Sequence, residues 1–250
     1  MAQQEIIFED LGRMGYQQAW DYQEILMQRN LAIKSENAIN LRAGQVIHDQ
    51  QQTKNHLLFV EHPPVYTLGK SGHIKNLLIT EEEMISKGVS FFKTNRGGDI
   101  TFHGLEQIVG YPILDLEKFG TDIGKYMRNL EEVIIRTLAE YNIEGLRSSG
   151  ETGVWIDPDI KGKERKIAAL GVRCSRWVTM HGFAFNINTD LSYFDHIIAC
   201  GIQHKQVTSL EKELGEKIPL EIVKAKMKKN FELVFDATLV EYEPLMVNNK

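Results

Sequence analysis

The chain carries two cysteines, Cys174 and Cys200, in neither a CxxC pair nor a ligand-like spacing with histidine. That pattern argues against a disulfide scaffold or a zinc site, so a special thiol here is a reactive one. Free cysteine otherwise packs as a small core hydrophobe, and position must separate the two. Cys174 sits inside a β-like stretch between Arg173 and Ser175. Cys200 stands between Ala199 and Gly201, where apolar periodicity has lapsed, and nucleophiles tend to sit on loops held by a scaffold.

A thiol attacks as thiolate, and a cation beside it lowers its pKa from about 8.5 to roughly 3.5–7.5. Lys166 opens the otherwise apolar, small-residue run Ile167-Ala168-Ala169-Leu170-Gly171. Such a lysine either snorkels to water or serves as a partly desolvated ammonium beside an anion. The segment Arg96-Gly97-Gly98-Asp99-Ile100-Thr101-Phe102-His103-Gly104 has paired glycines, which make either an ordinary turn or a backbone cradle for a carbonyl or anion. A third segment, His181-Gly182-Phe183-Ala184-Phe185-Asn186, places a histidine, a glycine and small residues beside aromatic ones where packing alone would not choose them. His103 and His181 are either proton carriers or hydrogen-bonded structural residues.

The elements that must position these residues are legible in outline. Leu57 to Val60 is an apolar run too short for a helix, stopped by Pro63 and Pro64, and predicts a strand buried on both faces. Further strands are expected at Val89 to Phe92, Ile108 to Leu114, Val154 to Ile156, Ile167 to Val178 and Gly182 to Ile187. Helical spacing predicts helices over Tyr16 to Ile33, Lys125 to Tyr141 and Pro219 to Phe235. Lys34 to Asn55, rich in Asn, Gln and Ser, reads as a surface loop with a short strand at Ala43 to Ile47, and the residues from 237 to 250 read as a loose tail. With strands outnumbering helices and no repeat or long linker, the expectation is one α/β (α+β) domain over 1–236, a mixed sheet flanked by helices.

Composition sets bounds on function. The chain has 250 residues, 42% hydrophobic and 25% charged, as soluble domains have. A net charge of -5 argues against a general nucleic-acid binder, since phosphate neutralisation needs a dominant basic face. No apolar run is long enough to span a bilayer and no leader pattern opens the chain, so a cytoplasmic protein is expected. Basic clusters at Lys161 to Lys166 and Lys224 to Lys229 are solvated surface or docking sites for an acidic partner.

The motifs DLGRMGYQQAW, LLFVEHPPVYTLGK, RGGDITFHG, QIVGYPILDL, GVWI, KIAALGVR, RWVTMHGFAFNINTDLSYFDHI, ACGI and VTSLEKELG occur in this order from about Phe8 to Phe235. In them the chain resembles the lipoyl(octanoyl) transferases, which move octanoyl from acyl carrier protein to lipoyl domains. The resemblance implies the α/β catalytic domain shared with lipoate and biotin protein ligases. It implies a thioester on Cys200, with Lys166 lowering that thiol's pKa, and substrate contacts from Arg96 to His103, Ala169 to Gly171 and Gly182 to Ala184. The donor it implies is octanoyl-acyl carrier protein. The acceptors are lipoyl domains of 2-oxoacid dehydrogenase complexes and the glycine cleavage H protein. No cofactor, ATP or metal is required, because a thioester donor is already activated. Both protein substrates of this family are typically acidic, which makes Lys161 to Lys166, or Arg173 and Arg176, the expected border of a docking surface. The chain departs from the family in having Leu105-Glu106 where Pro-Gly is common and Ala199 where proline precedes the cysteine.

Overall fold

The computed structural model describes residues 3–43, 51–198 and 206–242. In chain order the elements are β1 (Gln4–Arg13), α1 (Tyr16–Arg42), β2 (Asn55–Glu61), β3 (Val65–Leu68), α2 (Glu81–Ser86), β4 (Ser90–Lys93), β5 (Ile100–His103), β6 (Gln107–Ile113), α3 (Ile123–Ala139), β7 (Leu146–Ser148), β8 (Glu151–Ile156), β9 (Arg165–Ser175), β10 (Val178–Asn186), β11 (Gln206–Val207), α4 (Leu210–Leu214), α5 (Leu220–Phe235) and β12 (Ala237–Glu241). The large mixed sheet runs β12-β1-β2-β6-β10-β9-β8-β7 with β11 beside β9, and a small sheet runs β4-β3-β5.

Strand period dictates the layers. Along β2, Leu57 and Phe59 join one core with α3 and α5, while Leu58 and Val60 join a second with α1. Period-2 alternation on a strand covered on both faces gives the unbroken apolar run seen in the sequence. Helix α3 starts at an Asp122 cap whose carboxylate accepts from Lys125 N at 2.9 Å, and it buries Tyr126, Leu130, Val133, Ile134 and Leu138. A third cluster, Tyr66, Leu68, Val89, Ile100, Phe102 and Ile197, closes the small sheet. No helix among the described residues is long and apolar enough to cross a membrane.

Two expectations are corrected. Residues 34–42, read as the start of a surface loop, extend α1, because the stretch lacks Gly and Pro and needs no apolar face once it projects past the core. Of the strand expected at Ala43 to Ile47, Ala43 is a turn residue and the rest lies outside the described residues. The expected tail from 237 begins instead as strand β12, parallel to β1 with Ala237 opposite Gln4, and Ala237 is buried. The Asp236 cap, in left-handed conformation at φ 48°, turns the chain from α5 straight back into the sheet.

Candidate active site

A cavity of about 580 Å³ opens between the two sheets. Its floor is made where β9 and β10 pair, with Ala184 opposite Ala169 and Gly182 opposite Gly171. The loop from β4 to β5 forms its roof, crossing β9 where Gly97 N donates to Val172 O at 2.9 Å. Gly171 permits this approach, since a Cβ there would lie 2.8 Å from Gly97 O and 3.3 Å from Arg96 Cδ.

Arg96 is buried and locks the roof to β3. Its Nη2 donates to Thr67 O at 2.6 Å and to Thr67 Oγ1 at 2.9 Å, and its Nη1 donates to Gly97 O at 2.9 Å. Asp99 caps the same loop, accepting from Ile100 N and from Asn76 Nδ2, each at 2.7 Å. Arg96, Gly97, Gly98, Asp99, Ile100, Thr101, His103, Ala169, Leu170, Gly171, Gly182, Phe183 and Ala184 all line the cavity, as does Lys166. Phe102 does not. Its ring stacks on Tyr193, with centroids 4.6 Å apart and planes 3° apart, in the core of the small sheet. An expected contact residue is thus a packing residue that holds the 191–196 turn.

Lys166 owes its direction to a break in register. Val154 pairs with Ala168 but Trp155 pairs with Lys166, so Ile167 is extra. A bulge of this kind re-aims the side chains beyond it. Lys166 consequently shares the face of Trp155, opposite that of Val154, and its Nζ lies 4.6 Å from the Trp155 ring centroid. Cys200 and Ala199 lie outside the described residues. The chain leaves at Ile198, whose N–H donates to Asn76 O at 2.8 Å, and resumes with Gln206 beside Arg165 and Val207 beside Lys166.

The cavity also has an aromatic and imidazole wall, of which sequence reasoning singled out His103 and His181 and missed Tyr16, His62, Gln107 and Tyr111. His62 donates from Nδ1 to Met14 O at 2.7 Å, so its Nε2 accepts from the Tyr111 hydroxyl at 2.7 Å. Tyr16 stacks on His103 with centroids 5.9 Å apart. The amide of Gln107 donates to Asn186 Oδ1, which leaves its oxygen to accept from His103 Nδ1 at 3.0 Å and the His103 Nε2 to accept from Thr67 Oγ1 at 3.3 Å. His181 stands at φ 57° within β10 and donates from Nε2 to Asn95 Oδ1 at 2.7 Å, while its buried Nδ1 has no partner among the described residues. Burial, reinforced by the Arg96 charge, lowers His181 to about 3; burial lowers His62 to about 4 and His103 well below the usual histidine range. These imidazoles are neutral. Burial raises Tyr16 to about 12 and Tyr111 well above its ordinary value, so both keep their protons. Tyr16, Gln107 and Tyr111 lie inside the motifs DLGRMGYQQAW and QIVGYPILDL, but nothing in those motifs sets them apart, and it is the tertiary fold that brings them to the cavity.

Glu106, at the position where the resemblance led to an expectation of glycine, takes a positive φ of 61°. Its backbone N–H donates to Glu61 Oε2 and its carboxylate accepts from Asn188 Nδ2, each at 2.7 Å. Hydrogen bonds thus hold a conformation that glycine adopts without strain.

The fold and the cavity define the class of protein. Residues 15–232 match the lipoyl protein ligase A/B catalytic domain. The solved bi-partite lipoate protein ligase of Thermoplasma acidophilum superposes with a TM-score of 0.68, covering 97% of this chain and 88% of that one, at 16% identity. A lipoate-protein ligase A bound with ATP gives 0.64 over 98% and 90%, at 14% identity, and these two likenesses speak for the fold. Sequence relatives are more specific. An octanoyltransferase of Flavobacterium psychrophilum is 59% identical over 94% of this chain and 98% of its own length, and one of Christiangramia forsetii is 55% identical over 94% and 97%. The chain belongs to the octanoyltransferase family.

Proposed function

We propose that octanoyl transfer in this chain runs through a thioester on Cys200, with octanoyl-acyl carrier protein as donor and the lysine of a lipoyl domain as acceptor. The observation that carries this reading is the return of the chain, six residues after Cys200, to the sheet beside Lys166. Six residues of chain span at most about 20 Å, a reach compatible with the thiol meeting the ammonium. Lys166 stabilises the Cys200 thiolate, which attacks the donor's carbonyl carbon. The S–C bond to the carrier breaks, and the carrier thiol leaves with a proton. The acceptor amine then attacks the new thioester, loses a proton and expels the Cys200 thiolate, leaving an amide. The floor of Ala169, Gly171, Gly182 and Ala184 beneath the roof of Arg96 to Asp99 forms the slot for the acyl chain. Each buried CH₂ contributes about 0.8 kcal/mol, so slot depth grades chain length modestly per carbon.

Acceptors in this scheme are lipoyl domains of 2-oxoacid dehydrogenase complexes and the glycine cleavage H protein. For docking, Lys161 and Lys163 are exposed beside Lys166, whereas Arg173 is tied to Glu24 at 2.9 Å and Arg176 to Ser35 at 2.8 Å. We therefore place the acidic partner at the Lys161 to Lys166 turn.

The test is an assay with octanoyl-carrier protein and an isolated lipoyl domain, without ATP. Octanoylation of the acceptor is the expected result. A strict requirement for ATP and free octanoate would instead assign a ligase chemistry to the same cavity, and release of free octanoate without amide formation would assign a thioesterase.

A further inference from the structure

We propose that Trp155 is a positioning residue for Lys166, and that Gly153 and the buried carboxylate of Glu131 complete a seat for the lysine side chain. This rests on reading Lys166 as the cation that activates Cys200. A lysine side chain has four rotatable bonds and, unrestrained, spreads its charge over many positions. Here the stem and the head are each held by something different.

The stem lies over bare backbone. Gly153 adopts φ 127°, and a Cβ there would lie 2.7 Å from Ala168 O, 3.3 Å from Lys166 Cε and 3.5 Å from Lys166 Cδ. Only glycine leaves that space open. The position of Gly153 is in turn fixed from α3, where Glu131 Oε1 accepts from Gly153 N at 3.0 Å. Glu131 is fully buried, and its Oε2 accepts from Arg128 Nη1 at 2.6 Å and Arg147 Nε at 3.1 Å. A carboxylate bonded on both oxygens in this way is costly to disturb.

The head lies against the ring. Trp155 is buried, at 2% exposure, and Lys166 Nζ sits 4.6 Å from the centroid of its ring. An aromatic face attracts an ammonium and so favours one position of the lysine head. The bulge at Ile167 supplies the register that puts lysine and ring on one face.

The experiment follows alkylation of Cys200 by iodoacetamide against pH, in full-length protein carrying Cys174→Ser. Lys166→Ala should move the midpoint up to the ordinary thiol range. If Lys166→Ala leaves it unmoved, the underlying reading of Lys166 fails. Trp155→Leu should move it in the same direction and slow alkylation at pH 6.5 by about threefold to tenfold. Because Trp155→Leu alters a core residue, the deciding series is the same protein grown on mono-, di- and trifluorinated tryptophan, which preserves shape while weakening the ring face. Alkylation at pH 6.5 should slow with each added fluorine. A midpoint that responds to Lys166→Ala yet stays constant across the fluorinated series would overturn the role of Trp155.

Discussion

Lowering the pH from 7 to 5 loads protons onto the histidines of the unfolded chain, but scarcely onto the imidazoles of the cavity wall. His62 is lowered to about 4 and His181 to about 3, both chiefly by burial, and His103 is lowered for the same reason. Stability changes with pH as the difference in protons bound by the unfolded and folded states. Below an ordinary histidine pKa of about 6.5 the unfolded state binds more, so stability falls as pH falls. Between pH 7 and 5 each of His62 and His181 costs about 2 kcal/mol, on the order of 4 kcal/mol for the pair, with His103 adding in the same direction. His56 and Glu9 face each other at 3.5 Å and act with opposite sign, His56 lowered by burial and Glu9 raised by it. The lowered carboxylates, such as Glu132 and Glu213, lose their contribution only below the usual carboxylate range and leave this window untouched. Against a typical total of about 5–15 kcal/mol, the loss is large. Urea unfolding at pH 7 and pH 5, followed by circular dichroism, reads it directly, and a His62→Gln, His181→Asn variant should show a shallower pH dependence. Wild-type stability equal at the two pH values would refute the neutral imidazole wall.

Gly171→Ala sets a Cβ 2.8 Å from Gly97 O and forces the roof off β9. Overpacking of about 1–3 kcal/mol should appear in thermal unfolding, with a raised KM for the acyl donor in steady-state kinetics and an unchanged pH profile for Cys200 alkylation. Phe102→Ala removes the stack on Tyr193, and urea unfolding should show a loss of about 3–5 kcal/mol, the signature of a packing residue. Reversing charge at Lys161 and Lys163 should slow transfer from carrier protein at low salt. The rates of variant and wild type should converge as salt shortens the Debye length from about 10 Å at 0.1 M toward 3 Å at 1 M.

The strands at Leu57 to Val60 and Ile108 to Leu114 were legible because burial on both faces leaves an apolar run, and α3 because one face carries nearly all its apolar side chains. Helix α1 was readable only as far as Ile33, since its last turns carry no core face. Strand β12 looked like a tail because its value lies in backbone pairing with β1, which side-chain pattern does not record. Thirteen of the fourteen residues expected to contact substrate line the cavity, whereas Phe102 packs on Tyr193 in the core of the small sheet, a contact that local motifs do not record. Trp155 and the bulge at Ile167 escaped notice because neither has meaning until β8 and β9 pair. The imidazole wall draws on four separated segments, and no spacing rule connects them.

The proposed intermediate is covalent, an octanoyl thioester on Cys200. Intact-protein mass spectrometry after mixing with octanoyl-carrier protein tests it most directly, comparing wild type, Cys200→Ser and Cys174→Ser. A thioester-labile adduct of octanoyl mass is expected in wild type and Cys174→Ser, and none of that kind in Cys200→Ser. A labile adduct that persists in Cys200→Ser would contradict it.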